Sequence, residues 1–418
     1  MKKILFLLFY KSLFCQDFYY LLDYTLKKSQ IINMAKIDIQ SAIFNYDFYK
    51  SYLYPEVYIS ADYKFSNTKS NEYKNELFNE YNNHQNTVSV ILKYDIFKFG
   101  SDYYKMQSSK ENIKSLTYTK CKQELKISLE LLDYYKQALL IKNRINIYKK
   151  LKLAYEALYN YSIRLNEIGE IDKLDVNSYF LELNNMQAQL IKFEFDLNDI
   201  LLYISYLSSL SVDDVENFSN IDEELITFLS FEKSNQYFEI QSKIKENEYI
   251  LKSLKSQKYP TFTLYARYDF YDKSKYYYEH FINSSTKHGY IVGLNFTYYI
   301  YDAKKLDSQI QLKKLEIKKS NEELSLARLE YNKQINELIF FIKNKDKILS
   351  TLELIDKESK IASEYVNKLN SSGEKTKIDV LNMSVDNLKK LLDLNEYIIN
   401  INANKIKIKL INTQNKLC

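Results

Sequence analysis

YLYPEVYISADYKF, Tyr52–Phe65, holds one of only two prolines in a chain of 418 residues. The second, Pro260, opens a run of the same kind, KYPTFTLYARYDF, Lys258–Phe270. After Pro55, Val57, Ile59, Ala61, Tyr63 and Phe65 alternate with Glu56, Tyr58, Ser60, Asp62 and Lys64. After Pro260, Phe262, Leu264, Ala266, Tyr268 and Phe270 alternate with Thr261, Thr263, Tyr265, Arg267 and Asp269. A period of two describes a strand with one apolar and one polar face. Proline pushes the residue before it out of helical geometry, so Tyr54-Pro55 and Tyr259-Pro260 mark the passage from helix to strand.

Each strand is followed by another of the same period, carried by Val88, Val90, Leu92, Tyr94 and Ile96 in the first case and by Val292, Leu294, Phe296, Tyr298 and Ile300 in the second. The alternation predicts strands over 56–65, 87–97, 261–270 and 290–301. Runs of about ten residues match what a tilted strand needs to cross a bilayer, although a soluble sheet with one buried face alternates in the same way. The segments between, 66–86 and 271–289, are rich in Asn, Lys, Ser, Glu and Tyr. They are long for hairpin loops and match the long extracellular loops of outer-membrane barrels.

The chain is written twice. IGEIDKLDV (Ile168–Val176) resembles SGEKTKIDV (Ser372–Val380), which sets Gly169 and Gly373 204 positions apart, and YDIFKFG (Tyr94–Gly100) falls opposite YYIYDAK (Tyr298–Lys304) at the same separation. Repeats over 16–215 and 233–418, joined by 216–232, follow from this spacing. Each repeat contains a tract without Gly or Pro, predicting helices over 101–168 and 304–372; at about 1.5 Å per residue each spans on the order of 100 Å. Apolar residues step by threes and fours, as at Tyr134, Ala138, Ile141, Ile145 and Tyr148 and at Tyr331, Ile335, Leu338 and Ile342, which is a coiled-coil seam. Gly169 and Gly373 end the tracts, where the chain must turn back; return helices follow over 173–209 and 376–414, and a further helix leads into each proline.

Composition excludes several classes. A net charge of +5 with acids and bases interspersed is no nucleic-acid footprint. Cys15, Cys121 and Cys418 are odd in number and far apart, offering neither a disulfide framework nor metal spacing. His84, His280 and His288 belong to no HExxH motif, and no P-loop, GxSxG or CxxC is present. No enzyme, cofactor or metal site is expected. MKKILFLLFYKSLFCQ has the pattern of a secretory leader over 1–15, cleaved near Cys15-Gln16. Cys15 also stands where a lipoprotein carries its acylated cysteine, but Phe14 before it is larger than that processing site favours. No segment has the roughly 20 apolar residues of a membrane helix.

Four strands cannot close a barrel, and an open edge in lipid leaves backbone groups unpaired, so membrane strands here require several copies; three would supply twelve. The Tyr-Pro steps, the strand ending DIFKFG, the duplication and the two Gly-x5-Asp-Val signatures, Gly169-Asp175-Val176 and Gly373-Asp379-Val380, resemble the TolC family of outer membrane efflux proteins. The resemblance covers nearly the whole chain after the leader. It implies a mainly α fold with β strands: a homotrimer with a twelve-stranded barrel in the outer membrane of a Gram-negative-type cell and a coiled-coil helical tunnel in the periplasm. Implied partners are a periplasmic adaptor, an inner-membrane pump of RND or ABC type and outer-membrane lipid, in drug efflux or type I secretion. It further implies adaptor docking at Gly169, Val176, Gly373 and Val380. Asp379 is expected to form a gate ring about the threefold axis, with Asp175 either sharing that role or serving as a helix N-cap. Asn382 lies near where family members often carry a second acid, which weakens the ring. Lys375 and Lys377 are expected to pair with Asp175 across neighbouring tips and hold the aperture shut. The competing reading is a periplasmic coiled-coil scaffold capped by small sheets; a porin is a poor fit, because porins have many strands and no such helices.

Overall fold

The computed structural model describes residues 17–69, 80–218, 230–274 and 287–414. The expected leader with Cys15, most of 216–232, much of the two inter-strand segments, and His280 lie outside the described residues. In chain order the elements are α1 (Phe18–Lys28), α2 (Gln30–Ser51), β1 (Glu56–Lys69), β2 (Glu80–Phe97), α3 (Ser101–Glu167), α4 (Lys173–Ser208), a short 3-10 turn (Phe231–Lys233), α5 (Asn235–Ser256), β3 (Thr261–Ser274), β4 (Lys287–Thr297), α6 (Lys305–Ser371) and α7 (Lys377–Gln414). Two compact units divide the chain, one of residues 38–116 and 239–325, the other of 1–37, 117–238 and 326–418. Each draws segments from both halves of the sequence.

The first unit is built on one antiparallel sheet in the order β1-β2-β3-β4. Its register aligns Val57, Leu92, Ala266 and Val292 across all four strands, and Ile59, Val90, Tyr268 and Tyr290 beside them. Because side chains alternate, one face is apolar from edge to edge. On the other face Ser89 Oγ donates to Asp269 Oδ1 at 2.6 Å, Arg267 Nε donates to Asp269 Oδ2 at 2.9 Å, and Thr263 Oγ1 donates to Asp95 at 2.6 Å. Gly293 faces Tyr265, whose ring would lie 2.6 Å from any Cβ added there.

Strand lengths depart from the alternation in both directions. Pairing of β1 with β2 continues to Lys69 and Glu80, well into the stretch predicted as loop, because backbone hydrogen bonds extend a hairpin whatever its side chains. At the other end β4 stops at Thr297, opposite Thr261, so Tyr298 and Ile300 are not in a strand. The next residue on β3 is Pro260, which has no N–H to continue the ladder. The strand-to-helix corners follow the repeat: Phe99 and Gly100 have φ of 51° and 81°, and Ala303 and Lys304, 204 positions later, have 54° and 64°.

The second unit is helical. Phe18 and Leu21 of α1, Leu131 and Tyr135 of α3, Ile204 of α4 and Ile406 of α7 form its main core, with Val212 and Val215 closing it from the segment after α4. Tyr135 donates its hydroxyl to Glu216 O at 2.8 Å, and Lys142 Nζ reaches Asp214 at 2.7 Å, pinning that segment. Further along α3, Ile147, Leu151, Tyr155 and Leu158 enclose Val385 of α7. Arg144 bridges Glu396 at 2.6 Å, and Asn395 donates to Asn143 at 3.2 Å. Of the predicted seam, Ala138, Ile145, Tyr331 and Leu338 are buried and the rest are half-buried.

The helix that leads into Pro55 is Gln30–Ser51, and a shorter one precedes it across a break at Ser29, whose ψ of 124° leaves the helical region. One expectation needs correction. Cys121, nearly fully buried, is disulfide-bonded, which its sequence spacing did not suggest. No described helix is long and apolar enough to cross a membrane.

Candidate functional site: two helical turns and an apolar sheet

The turn after α3 is closed by local bonds. Gly169 N–H donates to Asn166 O at 3.0 Å, Glu170 N–H to Leu165 O at 2.9 Å, and the Asn166 amide to Ile171 O at 2.8 Å. The turn after α6 repeats each bond 204 positions on: Gly373 to Asn370 at 3.1 Å, Glu374 to Leu369 at 2.9 Å and the Asn370 amide to Lys375 O at 2.8 Å. Gly169 and Gly373 have φ of 78° and 81°, and a Cβ on either would meet nothing within 4 Å. Glycine is required here by the sign of φ, since the space beside each would admit a side chain.

The acids that follow are held differently in the two turns. Asp379 Oδ2 accepts from the N–H and the hydroxyl of Thr376, both at 2.9 Å, while Asp379 N–H donates to Thr376 Oγ1 at 3.3 Å. This reciprocal arrangement is a capping box with aspartate in the third position. The Thr376 N–H foremost, then its hydroxyl and the Lys375 charge, hold the Asp379 carboxyl below the usual carboxylate range. In the first turn Asp172 is the N-cap and makes no side-chain cap bond, and Asp175 is exposed.

Val176 and Val380 are half-buried, their N–H groups pointing back to Asp172 O and Thr376 O, each at 3.4 Å. Ile168 and Leu174 stand out at 68% and 78% exposure, whereas Ile378, the counterpart of Leu174, packs against the Val385 cluster. These two residues were not singled out by motif; their signal is an apolar side chain on either side of a turn that has no core to enter. Lys377 Nζ lies 5.7 Å above the Tyr161 ring, and Lys375 acts on Asp379. Among the described residues no ion pair joins either lysine to Asp175.

The helix-to-strand steps carry aromatic rings. Tyr54 and Tyr259 end their helices with N–H bonds to Ser51 O at 3.0 Å and Ser256 O at 3.2 Å, and both rings are exposed. Tyr259 stacks on Phe99 at 4.7 Å, and Phe99 meets Phe97 edge-on at the same distance. Phe97 and Phe99 thus extend the aromatic group past the Tyr-Pro step. His288 stacks on Tyr268 at 6.2 Å, and no three His, Cys, Asp or Glu residues gather as a metal site among the described residues.

A four-stranded antiparallel sheet with one apolar face and two helices of 67 residues, each followed by a glycine turn, carry these features. Residues 21–202 match the family model described as outer membrane efflux protein. The fold is similar to that of the Campylobacter jejuni CmeC outer membrane channel, with a TM-score of 0.81 at 15% identity over 95% of this chain and 85% of that one. The outer membrane protein VceC of Vibrio cholerae gives 0.76 at 14% identity over 94% of each chain. The Neisseria gonorrhoeae MtrE outer membrane channel in its open state gives 0.75 at 13% identity over 94% and 88%. No curated protein matches the chain by sequence. Residues 21–202 are thus similar to the outer membrane efflux protein family, and over nearly the whole chain the fold is that of these outer membrane channels.

Proposed function

We propose that three copies assemble into a closed twelve-stranded barrel in the outer membrane, continued by periplasmic helices, and that this trimer is the passive exit duct of a tripartite exporter. The observation that carries the reading is the sheet: one face apolar over four strands, with β1 and β4 as edges within the chain. In hydrocarbon those edge groups each cost several kcal/mol unless paired, and a second copy's β1 beside β4 pairs them. The chain performs no chemistry. Energy and cargo selection belong to an inner-membrane pump of RND or ABC type, in drug efflux or type I secretion.

The helical turns are the docking and gating end. A periplasmic adaptor contacts Gly169, Val176, Gly373 and Val380, with exposed Ile168 and Leu174 as the apolar anchors. Asp379 and Asp175 contribute carboxylates to the aperture, and Lys375 moderates the charge of Asp379. Tyr54-Pro55 and Tyr259-Pro260 set the membrane boundary, where aromatic rings favour the interface.

Detergent-purified protein tests the reading by native mass, gel migration before and after heating, and planar-bilayer conductance. A trimer that migrates compactly unheated and conducts supports it. A detergent-independent species with no conductance supports the coiled-coil scaffold and rejects the channel.

A further inference from the structure

The run that follows β4, Tyr298-Tyr299-Ile300-Tyr301, is exposed throughout, Ile300 at 91% and Tyr301 at 84%. We propose that it is a phospholipid-binding anchor, its rings seated where headgroups meet acyl chains in the periplasmic leaflet, with Lys304 and Lys305 beside it reaching lipid phosphates. The proposal rests on the reading of the sheet as lipid-facing.

Four large side chains in succession with no core to enter are not explained by the fold. The repeat shows what is different here. Residues 94–97, 204 positions earlier, lie within β2, where Asp95 accepts from Thr263 Oγ1 and pairs with Lys98, both at 2.6 Å. In the second repeat the ladder has ended at Thr297, opposite Thr261, and Tyr299 stands where the acid was. The run therefore leaves the sheet uncharged. Beyond it the chain passes through Ala303 and Lys304, with φ of 54° and 64°, a region that costs any residue with a Cβ. Asp302 Oδ2 then accepts the Leu306 N–H at 3.0 Å at the start of α6, so the run is fixed between a strand end and a helix start.

Continuity with the sheet says what covers it. Val292, Leu294 and Phe296 are exposed on the apolar face of β4, and Tyr298 and Ile300 follow at the same two-residue step. The side chains then change from wholly apolar to tyrosine, whose apolar ring and polar tip suit a layer that is dry on one side and wet on the other. Tyr259 and Phe99, stacked at 4.7 Å, lie at the same end of the sheet. Charge agrees. Lys258 is neutralised by Asp307 at 2.5 Å and Asp302 is engaged as a cap, whereas Lys304 and Lys305 are exposed and enter no ion pair among the described residues. An ammonium on a flexible stem can reach a phosphate oxygen while its methylenes stay with the rings.

The chain has no tryptophan, so a single introduced Trp reports its own surroundings. Tyr299→Trp, Tyr301→Trp and, on the apolar face of β4, Val292→Trp are each made in the full-length protein. Each variant is reconstituted in phosphatidylcholine vesicles with and without phosphatidylglycerol, the lipids brominated either near the headgroup or deep in the acyl chain. Emission at 299 and 301 should be lost mainly to the shallow bromines and emission at 292 mainly to the deep ones, and phosphatidylglycerol should shift emission at 301 to shorter wavelength. Adding Lys304→Gln and Lys305→Gln should abolish that shift and leave quenching at 292 as it was. Emission at 299 and 301 that is quenched by iodide from the water but not by lipid, or by neither because a second copy covers the run, overturns the anchor. An unchanged shift in the lysine variant overturns the phosphate contact. In either case lipid quenching at 292 leaves the reading of the sheet standing, and its absence there rejects that reading as well.

Discussion

Asp379 and Thr376 hold each other: the carboxylate accepts two bonds from the threonine, and the threonine hydroxyl accepts one from the aspartate N–H. The residue expected to line the aperture is therefore also the start of α7. Thr376→Ala should destabilise by about 1 kcal/mol, the usual cost of losing such a cap, read as a lower midpoint in denaturant. Because these bonds depress the Asp379 pKa, their stabilisation is fully present above the unfolded value of about 3.9 and is lost as pH falls through the folded value. Asp379→Asn should flatten that part of the stability-versus-pH curve, and an unchanged curve would reject the cap.

Asp175 lacks this local partner, so its charge is the freer of the two. Asp175→Asn combined with Lys375→Ala should alter single-channel conductance or cation preference in planar bilayers if the turns form the aperture. Identical traces for the wild type and this double variant would exclude them from the gate.

Ile168 and Leu174 are the exposed apolar residues beside the first turn. If the first turn is the docking end, Leu174→Asp should weaken adaptor binding tenfold or more, about 1.4 kcal/mol, measured by titration of the detergent-solubilised protein, with thermal stability unchanged because the side chain enters no core. Full-strength binding by Leu174→Asp would move docking away from this turn.

Ala303 and Lys304 occupy the left-handed region that Gly100 satisfies in the first repeat. A residue with a Cβ costs roughly 1–2 kcal/mol there, so Lys304→Gly should raise the unfolding midpoint by about 1 kcal/mol in free energy. A lower midpoint would mean that the lysine stem contributes more than its backbone loses.

Gly293→Ala should do the opposite, since its Cβ would fall 2.6 Å from the Tyr265 ring. Overpacking of this kind costs about 1–3 kcal/mol, read as reduced compact migration before heating. Adding Tyr265→Ala should restore it, and additive losses in the double variant would show that the two sites do not interact.

Much of this was legible in the sequence because it depends on neighbours along the chain. Alternation after Pro55 and Pro260, the Gly-free and Pro-free tracts, and positive φ at Gly169 and Gly373 are local consequences of side-chain period and backbone sterics. Exposed Ile168 and Leu174 gave no comparable signal, since an apolar residue near a turn is buried or exposed according to what lies over it; Ile378 is covered and Leu174 is not.

Tertiary structure alone decided how distant segments meet. The pairing of β2 with β3, which makes one sheet of two hairpins, joins strands more than 160 residues apart, and no local pattern specifies that partner. The reach of β1 and β2 to Lys69 and Glu80 rests on backbone bonds that polar side chains conceal. Cys121 sits in an ordinary helical stretch, and neither its burial nor its disulfide bond could be read from its neighbours along the chain. Local chemistry determined which elements form and in what order; long-range pairing and burial determined where the strands end and what each element touches.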